Sequence, residues 1–295
     1  MIKKLLLISL SWLLLTLPPL YWLNRIAAYP PRDPVETLTP YLKFLYAREF
    51  RQAYRFISVD DRRLKTASDY VRERGPFSGF TLDVARKLAG LIEIRLLSNH
   101  VAGTRATVTA SMKLPDANSL AGLLLDWDEA KLNALSASER KIRLAAIDSL
   151  IAANKLPMIE GEEKFVLVKE GAKWKVFLDW AAGAQVQFAA TVPPGADITA
   201  EPLTEQTVAR SGDLFTVGFK VSNPSAKKIV ARILHRVEPK EVSQYLDLVE
   251  CALLLPVRIE PGETQTYNST YIVRGDLPDG TKTVHVTYEF AIENQ

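Results

Sequence analysis

One unbroken apolar run dominates the start of the chain. After Met1, Ile2, Lys3 and Lys4, no charge occurs from Leu5 to Leu23. As a helix this run of about 19 residues would span roughly 28 Å, close to a bilayer's hydrocarbon thickness. Lys3 and Lys4 would stay in the cytoplasm, and Tyr21 and Trp22 sit where an interfacial belt belongs. The pattern predicts a membrane anchor over 1–28, single-pass, with the rest of the chain exported. A cleaved signal peptide is the competing expectation, but its best cleavage pattern, Ile26-Ala27-Ala28, puts a bulky residue where a small one is wanted.

The Pro-rich stretch 29–34 reads as a stiff spacer. From 35 to 190 the pattern mixes periods. Leu38, Tyr41, Leu42, Leu45, Phe50, Tyr54 and Phe56 recur at helical spacing, and Asp60 and Asp61 open a second helical stretch with Leu64 and Tyr70. Strand-like runs follow at 91–97 and 104–114, where Ala106, Val108, Ala110 and Met112 alternate with polar residues. Residues 119–154 are Leu- and Ala-rich and helical in pattern. "EEKFVLVKEGAKWKVFLDW" then predicts a hairpin, two apolar runs around the polar turn Lys169–Lys173. Helices followed by an antiparallel sheet give an α+β unit. Its element order and the closing "KWKVFLDW" resemble the nuclear-transport-factor-2-like cone, with 119–154 as a helical insertion.

"TVPPGADITA" marks a second boundary. From 198 to 295 the chain reads as short strands and turns: Phe215, Val217, Phe219 and Val221 alternate with polar or small residues, and Pro261-Gly262 and Asp279-Gly280 signal turns. Roughly seven short strands in about 100 residues predict an all-β immunoglobulin-like sandwich.

Composition narrows the functional classes. At 295 residues the chain is long enough for about two domains, and 47% hydrophobic with 24% charged residues is a globular balance. A net charge of +3 without a basic block interleaved with aromatics argues against a nucleic-acid partner. Cys251 is the single cysteine, so no disulfide can form within the chain. In the first unit, His100, the Asp126/Asp128 pair and Asp179 are the candidate polar groups. Asp179 stands between Leu178 and Trp180, and a ligand-binding module would centre on it. No His–Asp or His–Glu pairing occurs at useful spacing, so enzyme activity is not expected.

Val221, Asn223, Ser225, Lys227, Val237, Pro239, Tyr245, Glu250, Cys251, Pro261, Gly262, Glu263, Leu277, Pro278, Tyr288 and Phe290 form a frame that resembles the CtaG-type cytochrome c oxidase assembly family. The spacing from Tyr245 through Glu263 fits without a gap. The resemblance implies a membrane-tethered periplasmic domain that delivers copper to a haem-copper oxidase, with copper held by a Cys-X-Cys pair and shared in dimers. Soft thiolates suit Cu(I). Here Cys251 matches the first cysteine, Ala252 is the spacer, and Leu253 stands where the second belongs. Two routes could complete a site: Cys251 from two chains of a homodimer, or Cys251 with His235. His285, opposite in alternation to Val284 and Val286, is expected to face water. A small core side chain beside Val249 and Leu255 is the alternative reading of Cys251.

The expectation is thus an accessory protein of cytochrome c oxidase assembly in the bacterial inner membrane. Lipid contacts would run through 5–23, the client would be an oxidase subunit or another inner-membrane complex, and copper(I) would be held at Cys251 and His235. The alternatives are a non-metal envelope scaffold with a degenerate copper site, and a small-ligand-binding module.

Overall fold

The computed structural model describes residues 33–292 apart from 252, 254 and 255. Seven helices, α1 (Pro34–Tyr46), α2 (Phe50–Ala53), α3 (Val59–Leu64), α4 (Ala67–Glu73), α5 (Gly79–Ala89), α6 (Glu129–Ala134) and α7 (Ala137–Ala152), belong to the first unit among the described residues. Their starts are written in the sequence. Asp33 accepts from the Val35 backbone N–H ahead of Pro34 at the first helical position, and Ser58 and Thr66 cap α3 and α4. Ser136 and Glu139 form a reciprocal capping box on α7. The helical stretch expected from Asp60 through Tyr70 is split at Lys65, whose extended backbone ends α3 before Thr66 starts α4.

These helices cover a four-stranded antiparallel sheet in the order β1 (Glu93–Ala102), β2 (Arg105–Pro115), β3 (Met158–Glu170), β4 (Lys173–Val176). Ala106, Val108, Ala110 and Met112 on β2 are buried against Leu38, Tyr41 and Leu42 of α1. The β3–β4 hairpin turns at Gly171-Ala172 and carries Trp174 into the same core.

The second unit is two packed sheets. One has the order β10 (Leu246–Cys251), β12 (Thr264–Val273), β8 (Leu214–Ser222), β6 (Thr199–Pro202). The other runs β11 (Val257–Ile259), β9 (Ile229–Glu238), β13 (Thr283–Ile292), β5 (Ala184–Thr191), β7 (Gln206–Ala209). Phe215, Val217, Phe219 and Val221 face inward and meet Val284, Val286, Tyr288 and Phe290 of the opposite sheet in one core. Buried Asn223 fastens one corner: its amide donates to the carbonyls of Lys227, Ile259 and Glu260, and its oxygen accepts from Ser225. Gly262, at φ 71°, returns its N–H to the Asn223 carbonyl in the turn that Pro261-Gly262 announced.

Two expectations are corrected. The sequence pattern puts the unit boundary between 190 and 198, yet β5 pairs parallel to β13 and antiparallel to β7, so it belongs to the sandwich. The chain passes from the Trp180–Ala182 turn straight into this sheet. Gly183 allows the passage, because a Cβ there would stand 2.5 Å from the Ala209 carbonyl oxygen. β5 alternates as any half-buried strand does, and alternation does not say which sheet a strand joins.

The second correction concerns the membrane. An N-terminal transmembrane helix and a single-pass inner-membrane placement are not supported: among the described residues no helix is long and apolar enough to cross a membrane. The longest, α7, has 16 residues and carries Glu139, Arg140, Lys141, Arg143 and Asp148, whereas a span needs about 20 mostly apolar ones. The segment 5–23 on which that expectation was built lies outside the described residues.

Candidate functional site

The site begins with a bulge. β10 is an edge strand paired only with β12, and its register slips between Leu248 and Glu250. Leu248 faces Tyr271 before the slip and Cys251 faces Ser269 after it, so the extra residue turns Cys251 toward the interior. Val249 is left 58% exposed. A core face shared by Val249 and Cys251 is therefore corrected: the bulge puts them on different sides. Half-buried Cys251 lies with its Sγ 3.2 Å from Ser269 Oγ, and the Leu253 N–H donates to the same sulfur at 3.3 Å.

From there a polar chain crosses the sandwich. On β12, Ser269, Tyr271 and Val273 point inward; on the opposite sheet Tyr288 of β13 is the register partner of His235 on β9. The hydroxyls of Tyr271 and Tyr288 are hydrogen-bonded to each other, and Tyr271 Oη lies 2.8 Å from His235 Nε2, with the donor set by the imidazole tautomer. The rings are fixed by packing, Tyr271 stacked on Phe215 at 5.5 Å and Tyr288 against Phe219 at 4.1 Å. Two hydrogen-bonded groups meet here, Cys251 with Ser269 and Tyr288–Tyr271–His235, and Ser269 and Cys251 both bear on the Tyr288 phenol.

Burial sets the charge state. It pushes both phenols well above their ordinary range, reinforced for Tyr271 by the neighbouring Tyr288 and Cys251 and opposed for Tyr288 by the Ser269 hydrogen bond. Burial also holds the His235 imidazole below its ordinary value, even though the residue keeps an exposed edge at the sheet rim. The cluster is thus a neutral relay of hydroxyls and one imidazole ending at a thiol.

Cys251 and His235, the two residues expected to hold copper(I), belong to one cluster, Cys251 through Ser269 and His235 through Tyr271. They sit on strands of opposite sheets. Leu253, in the place of the second thiol, is 2% exposed in the sandwich core. The sandwich contains no methionine. Among the described residues no group of three or more His, Cys, Asp and Glu side chains could hold a metal. One soft donor per chain does not fit a Cu(I) centre within the chain.

The other candidates lie apart. His285 and His100 are exposed on β13 and β1. Asp128 caps α6. Asp179, in a left-handed conformation at φ 56°, pairs with Arg210 at 3.9 Å. Sequence reasoning missed Ser269 and Tyr271. The signal was present: both are polar residues at the inward parity of β12, two apart, where an all-apolar core would place Val or Ile.

A two-sheet β-sandwich with a thiol-terminated polar cluster between its sheets is therefore the class of domain that carries the site. Residues 161–291 match the family model described as cytochrome c oxidase assembly protein CtaG/Cox11. The match begins within β3 of the first unit and runs through the sandwich to β13. The cytochrome c oxidase assembly protein CtaG of Bradyrhizobium sp. (strain ORS 278) is 27% identical over 110 residues, 36% of this chain and 50% of that protein. The chain thus spans about half the length of that relative, and its C-terminal region resembles the CtaG-type family. Solved structures of E. coli alpha-2-macroglobulin, in the native state and activated by porcine elastase, cover 68% of this chain and 16% and 22% of theirs, at TM-scores of 0.22 and 0.23 and 10% identity. Likeness of that degree carries no argument.

Proposed function

We propose that this protein is a non-enzymatic accessory factor of cytochrome c oxidase assembly that acts through protein contacts rather than through a copper centre of its own. The family match over 161–291 supports the pathway. The observation that carries the mode of action is Leu253, buried at 2% where the family pattern calls for the second thiol. A Cys-X-Cys pair converges on one soft ion only if both side chains reach it, and here one is a thiol hydrogen-bonded inward and the other a core aliphatic.

The client is an oxidase subunit or a complex containing one. Deleting the gene in its own host should lower the haem-copper oxidase signal in difference spectra, and a Cys251→Ser copy should restore it. An unchanged oxidase level in the deletion strain would refute the pathway. Rescue by wild type but not by Cys251→Ser would refute the metal-free mode and favour a thiol shared between two chains.

A further inference from the structure

Two open cavities meet in the first unit. One, of about 430 Å³, lies between α5 and the end of β2 and is walled by Phe77, Ala85, Leu88, Ala89, Ile92 and Trp127. The other, of about 620 Å³, lies between the first unit and the outer face of the β8–β12 pair and is walled by Arg48, Arg72, Arg74, Thr216, Asn268 and Thr270. Arg48 and Phe77 line both, so the apolar hollow opens onto the cationic one. Both volumes fall in the range of small-molecule sites, roughly 300–1,000 Å³.

Neither guanidinium at the junction, that of Arg48 or that of Arg74, forms an ion pair with a carboxylate among the described residues. Arg48 donates to the carbonyls of Arg74 and Gly75 and stacks 4.5 Å over Phe77, and the Arg74 guanidinium lies 5.1 Å over Tyr70. The nearby acids make their direct contacts elsewhere, Asp69 with Arg72, Glu73 with Lys65, Glu129 with the Ser78 N–H and hydroxyl, and Asp213 with the Arg210 N–H, and Asp213 and Glu73 act on Arg74 at longer range. Burial and then the Arg74 charge lower the pKa of Arg48, whereas for Arg74 the nearby Tyr70, Tyr41, Asp213 and Glu73 outweigh burial and raise it, so Arg48 is the less compensated of the two cations.

The backbone beside the hollow is strained. Arg48 has φ 59°, and Leu125, Asp126 and Trp127 follow one another at 51°, 57° and 60°. None is glycine. That left-handed run brings Trp127 into a parallel stack with Phe77 at 6.1 Å, closing the apolar wall. Strain of this kind persists where surrounding structure holds it and gathers at ligand sites.

We propose that the first unit binds a single-chain anionic amphiphile, with its hydrocarbon part between α5 and Trp127 and its carboxylate or phosphate head between Arg48 and Arg74. Two guanidinium groups give a planar, multidentate grip on such a head, and Thr216, Asn268 and Thr270 of the sandwich offer neutral hydrogen bonds across the cleft. The proposal does not depend on the oxidase reading.

The test is isothermal titration of the full chain with decanoate, decanol and decyltrimethylammonium below their aggregation limits. Decanoate should bind, with the alcohol and the cation at least about tenfold weaker. Arg74→Gln should weaken decanoate by about tenfold or more. Ala117→Trp, at an exposed residue lining the apolar hollow, should do the same by filling it while the melting temperature stays within a few degrees of wild type. A parallel arm with phosphatidylglycerol vesicles separates a soluble amphiphile from a bilayer surface. Equal affinity for decanol and decanoate, indifference to Ala117→Trp, or capture by vesicles without decanoate binding would each overturn the proposal.

Discussion

The two units bury polar groups of opposite kinds. The first buries formal charge. Lys65 and Glu73 are paired at 2.6 Å with 7% and 3% of their side chains exposed, and the Lys65 ammonium lies 4.7 Å over Trp180. Asp61, 1% exposed, accepts from Ser58 Oγ and from the backbone N–H groups of Leu178 and Trp180. The sandwich buries neutral groups instead: two phenols, a serine, an asparagine and a half-buried thiol. The charged groups tie helices to the segment that leads into β5, where a lost partner strands a charge in a poor solvent. The neutral cluster spans two sheets that an apolar core already holds together. Charge in the first unit positions elements, and neutrality in the second keeps a relay intact without adding a strong electrostatic demand.

That contrast orders the expected mutational effects. Lys65→Met alone should cost the most, about 3–5 kcal/mol in urea unfolding, because the buried Glu73 carboxyl loses its partner. Lys65→Met combined with Glu73→Leu should recover most of the loss. An additive double mutant would mean that the pair is not coupled as the 2.6 Å contact implies. Asp61→Ala should follow at about 2–3 kcal/mol, since the Leu178 and Trp180 N–H groups lose their acceptor. Tyr288→Phe should cost less, about 1–2 kcal/mol, because Tyr271 keeps its bond to His235. A Tyr288→Phe loss larger than that of Lys65→Met would break the contrast between the units.

The smallest effect is a pH dependence. Burial lowers the His235 pKa in the folded protein below its ordinary 6.5, so the unfolded chain binds the proton first as pH falls. Stability is full above the ordinary value and is lost as pH drops through it to the lowered folded one. Denaturation midpoints of wild type and His235→Gln, compared across that window, should converge toward acid. A wild type that gains stability on acidification relative to His235→Gln would contradict the assignment.

Much of the sandwich was legible because its signals are local. Alternation at Phe215–Val221, the Pro261-Gly262 turn and the frame around Cys251 each sit within a few residues, and strand period and turn chemistry act over that range. Partnership does not. β5 carries the same period whether it closes the first sheet or joins the second, and only the steric opening at Gly183 shows where the chain crosses. The β10 bulge was hidden for the same reason. One extra residue reverses the faces of Val249 and Cys251, and nothing in "LDLVEC" announces it. Cys251 and His235 could be named as candidates from residue type, but the tyrosine hydroxyls that separate them follow from the packing of two sheets. Asp179, chosen for its apolar neighbours, is instead a surface ion-pair partner of Arg210 beside a buried tryptophan.

The central proposal is that this CtaG-like sandwich commits Cys251 to an internal hydrogen-bonded cluster and holds no copper, either with one chain's residues or through a thiol shared between two chains. The most direct measurement is a Cu(I) competition titration of the purified protein against a chromogenic chelator, wild type beside Cys251→Ser, with the mass of each species recorded. The account predicts that neither protein withdraws copper from the chelator and that the two traces superimpose. Copper retained by wild type and lost in Cys251→Ser, at one ion per chain or one per dimer, would contradict it.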